Sequence, residues 1–194
     1  RGVIDVMVYY TWGKKVLSNK YDPGFNKVIE WDIPLLDGYK YTMVENSSKE
    51  PGSHHRFGII NPGLIDQLNE WEPDALLVFG WNFDSHLKVI RYFSGKIPVY
   101  FRGDSTLLDG ESSLIKKVIK KFYLRSLYKK INKSLYVGKA NKEYYLQFGM
   151  SESNLIFVPH AIDNQRFGTT SGLDFRKILQ LKENDILVLF AGKF

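Results

Sequence analysis

The stretch DALLVFGWNFDSHLKVIRYFSGKIPVYFRGDS, residues 74–105, decides the fold class. Ala75 through Phe79 form an unbroken apolar run, bounded by Asp74 on one side and Gly80 on the other. A run that short, apolar at successive positions, suits a strand covered on both faces. A helical segment follows over 85–93, and a second strand over 98–101 closes at Arg102-Gly103-Asp104-Ser105. Strand, helix, strand with short links is the unit of a parallel sheet, because parallel neighbours need a crossover connection.

Outward from this unit the alternation continues. Further strands are expected at 3–10, 39–44, 134–137 and 155–158, and helices at 62–71 and 139–148. Asn61 reads as the N-cap of the 62–71 helix, with Pro62 at its first position, where a missing N–H costs nothing. The expected architecture is α/β: a Rossmann-like parallel sheet with helices on both faces. In such sheets ligands bind beyond the carboxyl ends of the strands. The polar turns at those ends are 12–15, 81–84, 102–105, 138–139 and 160–163, and they are expected to line one rim.

Composition sets the outer limits. With 194 residues, 44% of them hydrophobic, the chain can bury a core as one domain, or as one domain and part of another. There is no cysteine, which excludes disulfides and thiolate metal sites and fits a reducing compartment. No apolar run is long enough for a membrane-spanning helix. The opening residues, RGVIDVMVYY, read as a strand under way rather than a signal peptide, so a cytoplasmic location is expected. A net charge of +6 argues for attraction to phosphates or an anionic surface and for nothing narrower. Aromatics at 15% suit a carbohydrate-handling protein, and equally an aromatic-rich core.

The segment NLIFVPHAIDNQRF, residues 154–167, leads through a polar linker to DILVLFAGKF at 185–194, where a strand is expected over 186–190. This order resembles the interdomain crossing of GT-B glycosyltransferases, specifically the retaining family 4. WDIPLLDGY at 31–39, FRGDS at 101–105 and the helix entry within 136–149 add to the resemblance. It implies an incomplete GT-B N-terminal domain: an acceptor-side Rossmann-like domain over 1–167 whose first strand has no counterpart here, then the linker and first strand of a nucleotide-sugar domain over 168–194. It further implies a hexosyltransferase-type enzyme moving a sugar from a nucleotide-sugar donor to a glycan or lipid-linked acceptor, in surface polysaccharide biosynthesis. No metal and no cofactor besides the donor are expected. The 194 residues alone should be inactive. The alternative is a non-catalytic α/β module that binds carbohydrate or an anionic surface.

Transfer from a nucleotide diphosphate sugar requires the leaving phosphate neutralised, the acceptor hydroxyl held in place, and water excluded. The resemblance places Lys193 and His160 on the donor-phosphate side. Arg102 and Asp104 are the candidate catalytic pair, because a guanidinium fork can clamp phosphate and a carboxylate can accept from sugar hydroxyls. The family often has a His there, so a His-based role does not carry over. Trp12 and Trp81, with Asn82 and Ser105, are the candidate acceptor contacts. Each indole either stacks on a sugar ring or seals the end of the sheet, and both readings stand. His54 and His55 lack metal-ligand spacing and read as a surface loop.

Residues 112–133 carry two apolar stripes. At about 100° per residue, Ile115, Val118, Ile119 and Phe122 point one way, while Leu124, Leu127, Tyr128 and Ile131 point roughly opposite. One straight helix cannot bury both stripes against one sheet, so a break near Tyr123 is expected. The second half should dock and the first should stay free. Residues 112–123 would then offer a peripheral contact to an anionic membrane. Nucleic acid is not expected as a partner, because the basic residues face opposite ways and no recognised motif accompanies them.

Overall fold

The computed structural model describes residues 4–14, 20–22, 26–29, 33–108, 114–168 and 174–188. In chain order the elements are β1 (Met7–Tyr10), β2 (Lys20–Asp22), β3 (Lys27–Ile29), β4 (Lys40–Met43), α1 (Leu64–Trp71), β5 (Leu76–Phe79), α2 (Asp84–Phe93), β6 (Val99–Arg102), α3 (Leu114–Tyr128), β7 (Lys133–Tyr136), α4 (Lys139–Gln147), β8 (Leu155–Phe157), α5 (Asn164–Gly168) and α6 (Phe175–Ile178). The chain divides into two compact units, one of Arg1–Ser18 with Pro34–Pro159, the other of Asn19–Ile33 with His160–Phe194.

The larger unit is α/β and Rossmann-like. Strands β5, β6, β7 and β8 form a parallel sheet in sequence order, and β1 pairs with β4 in a second parallel sheet. The register sets Val78 beside Phe101, Phe101 beside Ser134, and Ser134 beside Leu155. That row lies under one core shared with α1 to α4, built around Leu68, Ile90, Leu124, Tyr128 and Tyr145. Right-handed crossovers explain why: three successive steps in one direction across a sheet put their helices on the same face. The opposite row differs. It holds Leu77, Phe79 and Ile156, all exposed.

Two local expectations are corrected. First, α1 begins at Leu64 behind Gly63, and Asn61 does not cap it with its side chain. The Asn61 amide instead donates to the carbonyls of Thr11 and Glu45 at 2.8 and 2.7 Å, and its backbone N–H donates to Ser85 Oγ at 2.7 Å. A buried polar side chain here ties together the loops after β1 and β4 and the start of α2. Second, α3 is a single helix with no break at Tyr123. Only its second half docks, with Leu124, Leu127 and Tyr128 buried and Ile131 just beyond. Because the first half touches no sheet, its opposite stripe needs no kink to escape. In that half the protein-facing side is filled by Lys120, whose Nζ stands 5.1 Å from the Tyr144 ring centre and 5.4 Å from that of Phe148.

In the smaller unit β2 and β3 form an antiparallel hairpin in a stretch where the sequence showed only turn signals. Asp174 caps α6 by accepting from the backbone N–H groups of Arg176 and Lys177. The Arg176 guanidinium gathers the carbonyls of Lys182, Glu183 and Asp185 at 2.6, 3.2 and 2.9 Å. Of the strand expected over 186–190, residues 186–188 belong to no strand, and 189–190 lie outside the described residues. Among the described residues, no helix is long and apolar enough to cross a membrane.

Candidate functional site

A cavity of about 300 Å³ opens at the carboxyl ends of β5 and β6, in the larger unit. Gly80, Trp81 and Asn82 line it from the turn after β5, and Gly103, Asp104 and Ser105 from the turn after β6. Phe101, Tyr128, Asn141, Tyr144 and Tyr145 complete the wall. The rim of a parallel sheet is where strand direction leaves backbone ends unpaired and loops free to vary.

The β6 turn is held from below by two side chains of α4. The Tyr145 hydroxyl accepts from Gly103 N–H at 2.9 Å and donates to the Gly103 carbonyl at 3.1 Å. A Cβ at Gly103 would approach Phe101 Cε1 to 3.3 Å, a tight contact that the ring would have to relieve by a few tenths of an ångström. Asn141, only 2% exposed, donates to the Ser105 carbonyl at 2.8 Å and accepts from Val137 N–H at 3.1 Å. Two anchors at neighbouring positions fix the loop carrying Asp104, whose side chain remains exposed.

The wall is aromatic. Tyr145 packs against Tyr128 and Phe101 with ring centres 5.6 and 6.1 Å apart, and Trp81 against Tyr123 at 5.7 Å. Burial raises the pKa of Tyr128 and Tyr145 well above the ordinary phenol value, with neighbouring tyrosines adding to it for Tyr128. Both are neutral donors at any physiological pH. The hydroxyls of Tyr128 and Tyr144 are buried and, among the described residues, have no hydrogen-bond partner. An unsatisfied buried hydroxyl costs about 1–3 kcal/mol, so a ring movement that opened either one to the cavity would be offset by a polar ligand or water.

Of the eight sequence-derived site residues, Trp81, Asn82, Asp104 and Ser105 come together on this cavity. Arg102 and Trp12 do not line it: alternation along β6 sends Arg102 away from Phe101, and its guanidinium donates to the Pro159 carbonyl at 3.3 Å. His160 is exposed in the smaller unit, and Lys193 lies outside the described residues. The sequence reading missed Asn141, Tyr128, Tyr144 and Tyr145. A signal existed only for Asn141, a polar residue two positions into the helix after the 138–139 rim turn. Among the described residues, Asp104 is the single carboxylate on the cavity, and no group of three metal-ligating side chains occurs.

Above the core, His86 links the ends of β1 and β5. Its Nδ1 faces the Gly80 carbonyl at 3.2 Å and so carries the proton, leaving Nε2 to accept from Thr11 Oγ1 at 3.0 Å. Burial lowers its pKa below the ordinary imidazole value, against the pull of backbone hydrogen bonds. No family model, curated protein or solved structure matches the chain.

Proposed function

We propose that this chain is the acceptor-side part of a retaining glycosyltransferase, with the cavity beyond β5 and β6 receiving a sugar of the glycan or glycolipid acceptor. The observation that carries the reading is the pairing of an aromatic wall with an exposed carboxylate and a side-chain amide at a parallel sheet's carboxyl rim. A pyranose has an apolar face that stacks on an indole and a ring of hydroxyls that both donate and accept. Trp81 supplies the stacking surface, and Asp104 and Asn82 the hydroxyl contacts. His160 and Lys193 stand as proposed contacts of the donor phosphates.

One observation favours the non-catalytic alternative, a carbohydrate-binding α/β module. Among the described residues, Asp104 is the lone carboxylate on the cavity and has no acid–base partner there. The two readings share the sugar and differ in turnover.

Calorimetric titration with neutral oligosaccharides and nucleotide sugars tests both. The expected result is weak oligosaccharide binding that falls at least about tenfold in Trp81→Ala and Asp104→Asn, a loss of about 1.4 kcal/mol. The same titration on a chain extended through a second domain should add nucleotide-sugar binding and turnover. Oligosaccharide binding with no turnover in the extended chain would favour the module. Binding indifferent to both substitutions would overturn the site.

A further inference from the structure

The outward face of α3 is apolar for two turns and basic afterwards. Ile115, Val118, Ile119 and Phe122 are between 53% and 73% exposed. Continuing along the same face come Arg125 and, just past the helix end, Lys129 and Lys130, while Lys116 and Lys121 flank the apolar quartet. Between residues 114 and 133 there are eight lysines or arginines and no aspartate or glutamate. We infer that α3 is a membrane-docking helix that lies along an anionic bilayer surface. Its apolar quartet enters the acyl boundary and its basic residues meet lipid phosphates.

Charge and apolarity together choose the occupant. A second copy of the chain laid on this face would bring two all-basic helices together with no acidic side chain to pair them. A nucleic acid would satisfy the lysines, yet it would gain nothing from four exposed aliphatic and aromatic side chains at the centre of the contact. An anionic bilayer satisfies both at once, since long basic side chains reach the headgroups while their stems and the apolar stripe go deeper. The rigidity of the face also fits. The second half of α3 is anchored by Leu124, Leu127 and Tyr128, so the free half is presented without having to fold on the membrane. The inference stands on α3 alone and does not depend on the sugar reading of the cavity.

The test is co-sedimentation of the whole chain with phosphatidylcholine vesicles, with and without added phosphatidylglycerol, at low and high salt. Partitioning should be at least about tenfold stronger on the anionic vesicles and weaken with salt. Lys129→Glu should reduce it about fivefold or more. The double variant Ile119→Ser, Phe122→Ser should abolish most of the remainder while leaving the unfolding midpoint unchanged, which separates docking from folding. Equal partitioning of this variant and the wild type would overturn the inference. So would binding to heparin or RNA with none to vesicles, or a dimer in sedimentation that the same two substitutions dissolve.

Discussion

Phe122 and Leu124 sit two residues apart on α3, and the first is 72% exposed while the second is fully buried. Their chemistry is alike and their helix is continuous. The sheet repeats the contrast one layer away: Val78 is buried and the adjacent Phe79 is exposed. In both cases one side of the element faces the shared core and the other faces away from it. Apolar periodicity shows that an element has a sticky side. It does not show whether anything lies against that side.

The comparison is broken most directly by truncation. Leu124→Ala should destabilise the larger unit by roughly 2–5 kcal/mol, read from urea unfolding, because it opens a cavity where α3 meets the core. Phe122→Ala should change stability by no more than about 0.5 kcal/mol. Similar losses for the two would mean that the first half of α3 is covered. Asn141→Ala comes next. Removing a buried amide with a partner on each side leaves the Val137 N–H and the Ser105 carbonyl unpaired, for about 1–3 kcal/mol. It should also weaken sugar binding by freeing the loop that carries Asp104.

A third experiment uses pH. Because the folded state holds His86 with a depressed pKa, the unfolded chain takes up that proton first as pH falls. The contribution of neutral His86 is therefore complete above the ordinary value of 6.5 and is lost as pH falls from there through the depressed folded value. The difference in unfolding midpoint between wild type and His86→Gln should shrink over that range. A difference that grows with acidity would mean that the imidazole is charged in the fold. The smallest effect is expected at Tyr144. Tyr144→Phe removes a buried hydroxyl without a partner and should leave stability unchanged or slightly raised, while reducing affinity for a sugar that uses it.

Much of the larger unit was legible in the sequence. The apolar run at 75–79, the helix at 85–93 and the strand closing at Arg102 all appear within two residues of their expected places. That Trp81, Asn82, Asp104 and Ser105 lie together was legible through a single rule, the carboxyl-end rim. Arg102 was assigned to the same rim, but its place on β6 sends it to the other side of the strand from Phe101. What could not be read were the anchors. Asn141 and Tyr145 act on backbone 36 and 42 residues away, and nothing in their own helix indicates those partners. The break expected near Tyr123 does not occur, because a straight helix that leaves its first stripe exposed has only one stripe to bury.

By itself, the sequence determined the α/β class, the order of the main strands and helices of the larger unit, and the two opposed stripes of α3. Those follow from interactions among residues a few positions apart, where helical and strand periods are set. Only the tertiary structure decided that the α3 helix runs unbroken, and that four tyrosine- and asparagine-bearing positions from α3 and α4 close a cavity over the β5 and β6 turns. Burial and cavity shape are relations between distant elements, and they exist only once the sheet has brought those elements together.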